Sequence, residues 1–474
     1  MPLSRPARRP ATRAALGITV AALVLPAGVV SAGAAQAGQP APGGESVGDS
    51  LFPTIGNTGY HALHYDVRLG YFAAGKRIVA ASTMTARATR PLSSFSLDLE
   101  GLTVSSAVVD GRAATFSRHD DKLVVTPRRP VSGRFTTVVR YAGTPVTHTD
   151  PDGASDGWVP TRDGATVVSE PVGAATWFPD NNTPRDKATF SMRITVPSTL
   201  AVAANGDLVS RRRHGARTTW RWEQTRPMAT YLAMISIGRY HVYHSTMRTT
   251  SGRRLPVWSF VQAKYGSLAA QRRLIPRIVR FEERRFGRYP FTSVGIVVKD
   301  LGVGYALETQ NRPVFDGVPD TSTLVHELAH QWYGDSVTPR SWEDIWLNEG
   351  FASYAEDLWA AAHGGPSTQA AFQERYDSHP AGDALWSPAP ARFSDPADLF
   401  GAPVYVRGGM TLQALRARIG TPDFLAVLHR WAATERGRST DTSAFIALAE
   451  RVSGRHLGGL FHRWLYVAKK PVGY

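Results

Sequence analysis

No cysteine occurs anywhere in the 474 residues. That absence removes disulfides, a lipid-attached cysteine and every thiolate metal site, so any zinc must be held by His, Asp or Glu. A chain of this length does not need disulfides, because its apolar core area suffices. Long apolar runs are scarce too, and the one of note lies near the start. There "MPLSRPARRPATR" carries four arginines and no acid, "AALGITVAALVLPAGVV" is apolar but interrupted, and "AQA" at 35–37 is a small-x-small cleavage site. That order is a secretory signal rather than a membrane anchor, and it predicts a secreted, extracellular chain whose mature form starts near Gly38. Arg8 and Arg9 leave both the Sec and the twin-arginine export routes open. No later stretch is long and apolar enough to span a bilayer. Acidic residues are the minority charge, 39 against 54 Lys and Arg, for a formal +15, or +11 once the four leader arginines are set aside. The basic residues are scattered, as in "SRRRHGARTTW" and "FEERRFGRYP", without a stripe interleaved with aromatics, which argues against a specific nucleic-acid partner.

With 43% hydrophobic residues the chain is globular, and its length fits two or three domains. "GQPAPGGESVGDS", residues 38–50, is Gly-, Pro- and Ser-rich and predicts a flexible arm with nothing to pack. From 51 to 250 short alternating runs are broken by turn residues, as in "LTVSSAVVDGRAATFS" with its Asp-Gly turn at 110–111, and this half reads as all-β. "HG" at 214–215 marks a second hairpin. Beyond about 250 the period changes. "SLAAQRRLIPRIVRFEERRFG" is helical, "TSVGIVVKD" is a strand, and helix-length segments cover about 321–333, 343–362, 407–419, 422–434 and 442–453. The domain boundary is expected near 250, with 251–474 as the second domain, and no internal repeat is visible.

"LVHELAHQWYG", 324–334, contains H-E-x-x-H, a pattern that composition alone would produce in roughly 2% of chains of this size. In a helix, residues four apart share a face, so His326 and His330 can present imidazoles to one ion. Glu327 is offset by one residue and is better placed to reach a metal-bound water than the metal. A catalytic zinc needs a third protein ligand and an open position. Glu349, in "WEDIWLNEGFASYAEDLW" and 19 residues after His330, can supply the ligand from a second helix.

The stretch "HELAHQWYGDSVTPRSWEDIWLNEGFASYAE" resembles the zinc site of the M1 family of aminopeptidases, whose pattern is H-E-x-x-H, eighteen residues, then E. Gln331, Trp332, Gly334, Thr338, Pro339, Leu347, Asn348, Gly350 and Phe351 also match. "SEPVGAATWFPDNNTPRDKATF", "GYALETQNRPVF" and "VYVRGGMTLQALR" are similar to further family segments, so that residues 57–470 are covered in order. The resemblance implies an α+β fold with an N-terminal all-β, saddle-like domain followed by a thermolysin-like, mainly helical catalytic domain. It implies a zinc-dependent aminopeptidase (a hydrolase and metalloprotease) with one zinc per chain, held by His326, His330 and Glu349. Glu327 would be the general base toward the zinc-bound water, and Tyr405 the hydrogen-bond donor to the oxyanion. Glu170 and Glu308 would grip the α-ammonium group of peptide substrates with a free N-terminus.

Departures from the family pattern are Tyr305, Leu307 and Thr309, where Gly, Met and Asn are usual, and Asp335 for Asn. The chain stops about 70 residues after Tyr405, so a short form without the family's C-terminal helical domain, and with a more open site, is expected. Three other readings are separable. A related zinc hydrolase of epoxide-hydrolase type would be separated by substrate tests, and a nucleic-acid binder by a salt-dependent shift assay. A non-catalytic binding protein would have no need of Glu327 as a base.

Overall fold

The computed structural model describes residues 39–472. The expected signal segment and the Gly38 start lie outside them. The first half is built on sheets. Eleven strands form one sheet whose middle is the antiparallel pair Tyr60–Phe72 and Arg77–Ala88, extended on one side by Arg134–Gly143 and on the other by Ala188–Pro197. Tyr60, Ala62, Tyr65, Val67, Leu69 and Tyr71 are buried, the one-sided alternation of a sheet with one face on the core. Both short turns read from sequence are there: Asp110–Gly111 joins Thr103–Val109 to Arg112–His119, and Gly215 follows the strand Asp207–His214. Asp110 and Gly111 both have positive φ, as the tight turn requires.

A second sheet of five strands includes Ser155–Thr161 and Gly164–Val168. Every residue of Gly164–Val168 is buried, as expected of a strand covered on both faces. A third, mixed sheet pairs Tyr240–Arg248 with Arg254–Gln262 and then runs through Val294–Lys299 and Val314–Asp316 to Ala306–Leu307. The position near 250 lies in the turn between its first two strands, and sheet membership changes between Gly238 and Tyr240.

Helices follow: α1 (Ala269–Phe286), α2 (Thr321–Ala329), α3 (Trp346–Ala362), α4 (Thr368–Ser378), α5 (Gly408–Ile419), α6 (Thr421–Thr434), α7 (Thr442–Ser453) and the short α8 (Gly458–Phe461). α4 and α8 have no counterpart in the periodicity reading. The segment expected as one helix over 321–333 ends at Ala329, because His330 to Gly334 turn back into the strand Val337–Pro339. No helix among the described residues is long and apolar enough to cross a membrane.

Residues 39–50, expected as an arm with nothing to pack, are tied down. Ala41–Pro42 pairs with the strand Leu92–Asp98, and Gly43 N donates to Ser94 O at 2.8 Å. Asp49 is buried and accepts from the backbone of Leu51, Phe52 and Trp342. Composition missed this because the arm is held by its main chain and one carboxylate rather than by apolar side chains.

Candidate metal centre and active site

α2 begins at Asp320, whose carboxylate accepts from Thr323 N at 2.8 Å and caps the first turn. Its Leu324, Val325, Leu328 and Ala329 are buried. Burial of each of the two leucines contributes on the order of 2 kcal/mol, which holds this face of α2 against the core. α3 lies against α2 and places Glu349 in its first turn. Glu349 Oε2 is 3.1 Å from His326 Nε2 and 3.5 Å from His330 Nε2, so the three expected ligands converge. His330 sits one residue past the helix end but keeps helical dihedrals, which preserves the four-residue stacking.

The outward-facing nitrogens decide what the inner ones can do. His330 Nδ1 is 3.0 Å from the carbonyl of Tyr333, which only accepts, so Nδ1 carries the hydrogen. His326 Nδ1 is 2.7 Å from Glu356 Oε1, and the other oxygen of Glu356 accepts from Ser322 Oγ. In the neutral imidazoles both Nε2 atoms therefore present lone pairs, and with Glu349 they form three acceptors facing one point. Two histidine nitrogens and one carboxylate oxygen, each histidine oriented by an outer partner, is a donor set that fits zinc. Without a cation, protons take that place. Burial lowers His330, but Glu308 and Glu349 overcome it and raise it to about 9. His326 is likewise raised, against burial, by Glu349 and Glu356. Glu349 is held down at about 2, against burial, chiefly by His330.

Glu327 is buried, and its Oε2 has no hydrogen-bond partner among the described residues. Burial raises it to about 8, with the two histidines pulling down and Glu308 and Glu349 pushing up. Glu170, from the loop after Gly164–Val168, and Glu308, just after Ala306–Leu307, come within the same few ångströms as Glu349. Both are buried, each has an oxygen without a partner, and burial raises both, so the pair faces inward short of positive charge. Gln331 connects this pair to α2, since its Nε2 donates to Glu308 O at 3.0 Å and its Oε1 accepts from Asn311 N at 2.8 Å.

Tyr405 lies in the wide turn Pro403–Arg407 that leads into α5, and its ring stacks on His326 with centroids 5.9 Å apart. Two glycines permit this. A Cβ on Gly350 of α3 would stand 2.8 Å from Gly408 C, so the two helices approach at backbone contact. Burial, followed by Glu349, raises Tyr405 well above its ordinary value and keeps the hydroxyl protonated. All seven expected residues line one cavity of about 360 Å³.

Sequence reasoning missed two features. Glu356 is seven residues after Glu349, two turns along the same face of α3, and that spacing was the available signal. Asp150 and Asp152 also line the cavity, from a loop of the β half that no motif marked.

Residues 61–232 match the Peptidase M1 N-terminal domain and residues 308–464 the Peptidase family M1 domain. The aminopeptidase N of Caulobacter vibrioides is 28% identical over 321 residues, covering 62% of this chain and 37% of that protein. Aminopeptidase M1-C of Oryza sativa subsp. japonica is 25% identical over 340 residues, covering 66% and 38%. The chain thus spans well under half the length of these curated relatives. An M1 zinc metallopeptidase from Deinococcus radiodurans superposes with a TM-score of 0.81 at 30% identity, covering 90% of this chain and all of that one. Both halves of the fold are covered by these matches, and the chain belongs to peptidase family M1.

Proposed function

We propose that this protein is a secreted zinc aminopeptidase that removes the first residue from peptides. One observation carries the reading. A His-His-Glu donor set, a buried glutamate with an unpartnered oxygen, and a second pair of buried carboxylates short of positive charge share one cavity. When bound by His326, His330 and Glu349, zinc supplies Lewis-acid chemistry, lowering the pKa of water and polarising a carbonyl.

The chain's own groups do the rest. Glu170 and Glu308 receive the substrate's α-ammonium, a charge-assisted contact that restores the positive charge missing from their buried pair. This places the first peptide bond against the metal ligands, and because an internal residue has a neutral amide where the anchor needs a charged amine, only the first residue is removed. Glu327 takes the proton from the attacking water and returns it to the leaving amine; burial, aided by Glu308 and Glu349, keeps it basic enough for the task. The Tyr405 hydroxyl donates to the oxyanion as it develops on the carbonyl. Among the solved relatives, an M1 zinc metallopeptidase variant from Deinococcus radiodurans is bound to the substrate Tyr-Ser-Ala, and a two-domain M1 zinc metallopeptidase variant is bound to L-arginine.

The test uses residues 38–474 with a panel of aminoacyl fluorogenic substrates, with and without chelator. Turnover that chelator abolishes and zinc restores is expected, together with no cleavage of N-acetylated peptides, whose neutral amide cannot pair with Glu170 and Glu308. Rapid hydrolysis of the acetylated peptides would overturn the reading. Glu349→Ala should lose the metal, about one zinc per chain in the parent protein, because it removes one of three ligands. For secretion, the exported protein should begin near Gly38 by N-terminal mass analysis.

A further inference from the structure

The cavity that holds the α-ammonium anchor is lined as well by the loop between the strands Thr147–Thr149 and Ser155–Thr161 of the β half. The loop is a tight turn, with Gly153 N donating to Asp150 O and Asp150 N to Ala154 O, both at 2.8 Å. Tyr305 ties it to the catalytic half by donating its hydroxyl hydrogen to Ser155 O at 2.8 Å. The turn aims Asp150 inward. Only 6% of the residue is exposed, it lines the cavity, and its Oδ1 accepts no hydrogen bond.

Its nearest cation is His148, at 3.9 Å, and that imidazole is already 2.9 Å from Glu100 and lies within 4.8 Å of the buried Asp156 as well. One imidazolium cannot neutralise three carboxylates, and Asp152 adds a fourth at the rim. Seven carboxylates line the cavity, and no lysine or arginine does. Zinc and a substrate ammonium together bring three positive charges, all spent on the metal ligands, Glu327 and the Glu170–Glu308 pair. Of the other three carboxylates, Glu356 is engaged by His326 and Ser322, which leaves Asp150 and Asp152 over, on a lining they share with Tyr305, Leu307 and Ala154. An apolar lining shared with an acid suits a side chain with an aliphatic stem and a cationic tip.

We infer that Asp150, assisted by Asp152, is a specificity-determining acid that receives the charged tip of a basic first residue, so that the preferred substrates are peptides beginning with arginine or lysine. This rests on the aminopeptidase reading. The discriminating pair is arginyl against citrullyl substrate, because citrulline keeps the shape of arginine and loses its charge. For the zinc-loaded protein, kcat/KM should favour arginyl by about 10- to 100-fold, the range of a buried charged hydrogen bond. Asp150→Asn should bring the ratio to within a few-fold of unity. Asp152→Asn, at an exposed position where the amide keeps the acceptor for Ala154 N, should lower it less. Zinc content and melting temperature are measured alongside to show that each variant is folded.

An arginyl-to-citrullyl ratio near unity in the parent protein, with leucyl substrate still cleaved, overturns the inference alone. So does a ratio unchanged in Asp150→Asn. Failure to cleave any aminoacyl substrate in the zinc-loaded state overturns the aminopeptidase reading, and the inference with it. A second equivalent of metal per chain that disappears in Asp150→Asn would also overturn it, giving the cluster with His148 and Asp156 to an inorganic cation instead.

Discussion

Glu356 is not one of the three metal ligands, yet removing it should weaken zinc binding. Its Oε1 stands 2.7 Å from His326 Nδ1, and Ser322 Oγ donates to its other oxygen, so the carboxylate is held in place while it accepts from the imidazole. The contact fixes the tautomer that turns Nε2 toward Glu349 and makes that nitrogen a better donor to a cation. Outer partners of this kind are worth about 10- to 100-fold in metal affinity, or about 1.4 to 2.8 kcal/mol. Glu356→Ala should fall near the lower end, because the glutamate side chain is 30% exposed and water can replace it beside Nδ1. Glu356→Gln keeps an acceptor but not the charge. Since charge-assisted bonds are about twice as strong as neutral ones, its loss should be smaller, about 3- to 10-fold. The assay is competition for zinc against a chromophoric chelator near neutral pH, with turnover measured at saturating zinc to separate metal loss from damage to the site. Parent-like zinc affinity in both variants would refute the claim that Glu356 orients His326. So would a Gln variant worse than the Ala variant.

Other expectations follow from the same site. Glu327→Gln should retain zinc while kcat falls by about 10² to 10⁴, since the amide keeps the shape but takes no proton; near-parent turnover would end the general-base assignment. Tyr405→Phe should cost on the order of 10² to 10³ in kcat with KM, zinc content and melting temperature nearly unchanged, because the ring still stacks on His326 and only the hydroxyl is lost. The chelated protein should lose stability as pH rises. His330, raised from 6.5 to about 9, contributes fully below 6.5 and loses that contribution as pH climbs through about 9. Glu327, raised from 4.5 to about 8, is held neutral by the fold, and ionising it adds a loss of the same sign between those values. Zinc replaces those protons as the source of positive charge, so the loaded protein should melt with little pH dependence over the same window. A melting temperature of the chelated protein that is flat or rises there would contradict the electrostatics of the site.

What the chain could show unaided was whatever rests on local spacing. The turn at Asp110–Gly111, the strand Val294–Lys299, and the helices Ala269–Phe286 and Thr442–Ser453 follow from period and punctuation, because neighbouring residues decide them. His326 and His330 are of this kind, four residues apart on one turn of backbone. Glu349 was marked by its place on a second helix 19 residues after His330, whereas Glu308, Glu170 and Tyr405 carry no such local signal, and only their resemblance to known segments marked them. Tertiary structure brought them to one cavity, through Gln331 holding Glu308 and through the contact of Gly350 with Gly408 that sets Tyr405 over His326. It also decided what composition got wrong. The arm at 39–50 is pinned through Asp49 by main-chain donors as distant as Trp342, a partnership that no count of glycine and proline can reveal. Asp150 is the clearest case. In sequence it is an ordinary turn aspartate, and it becomes an acid in search of a cation only because folding removes its water and turns it into the cavity beside Tyr305.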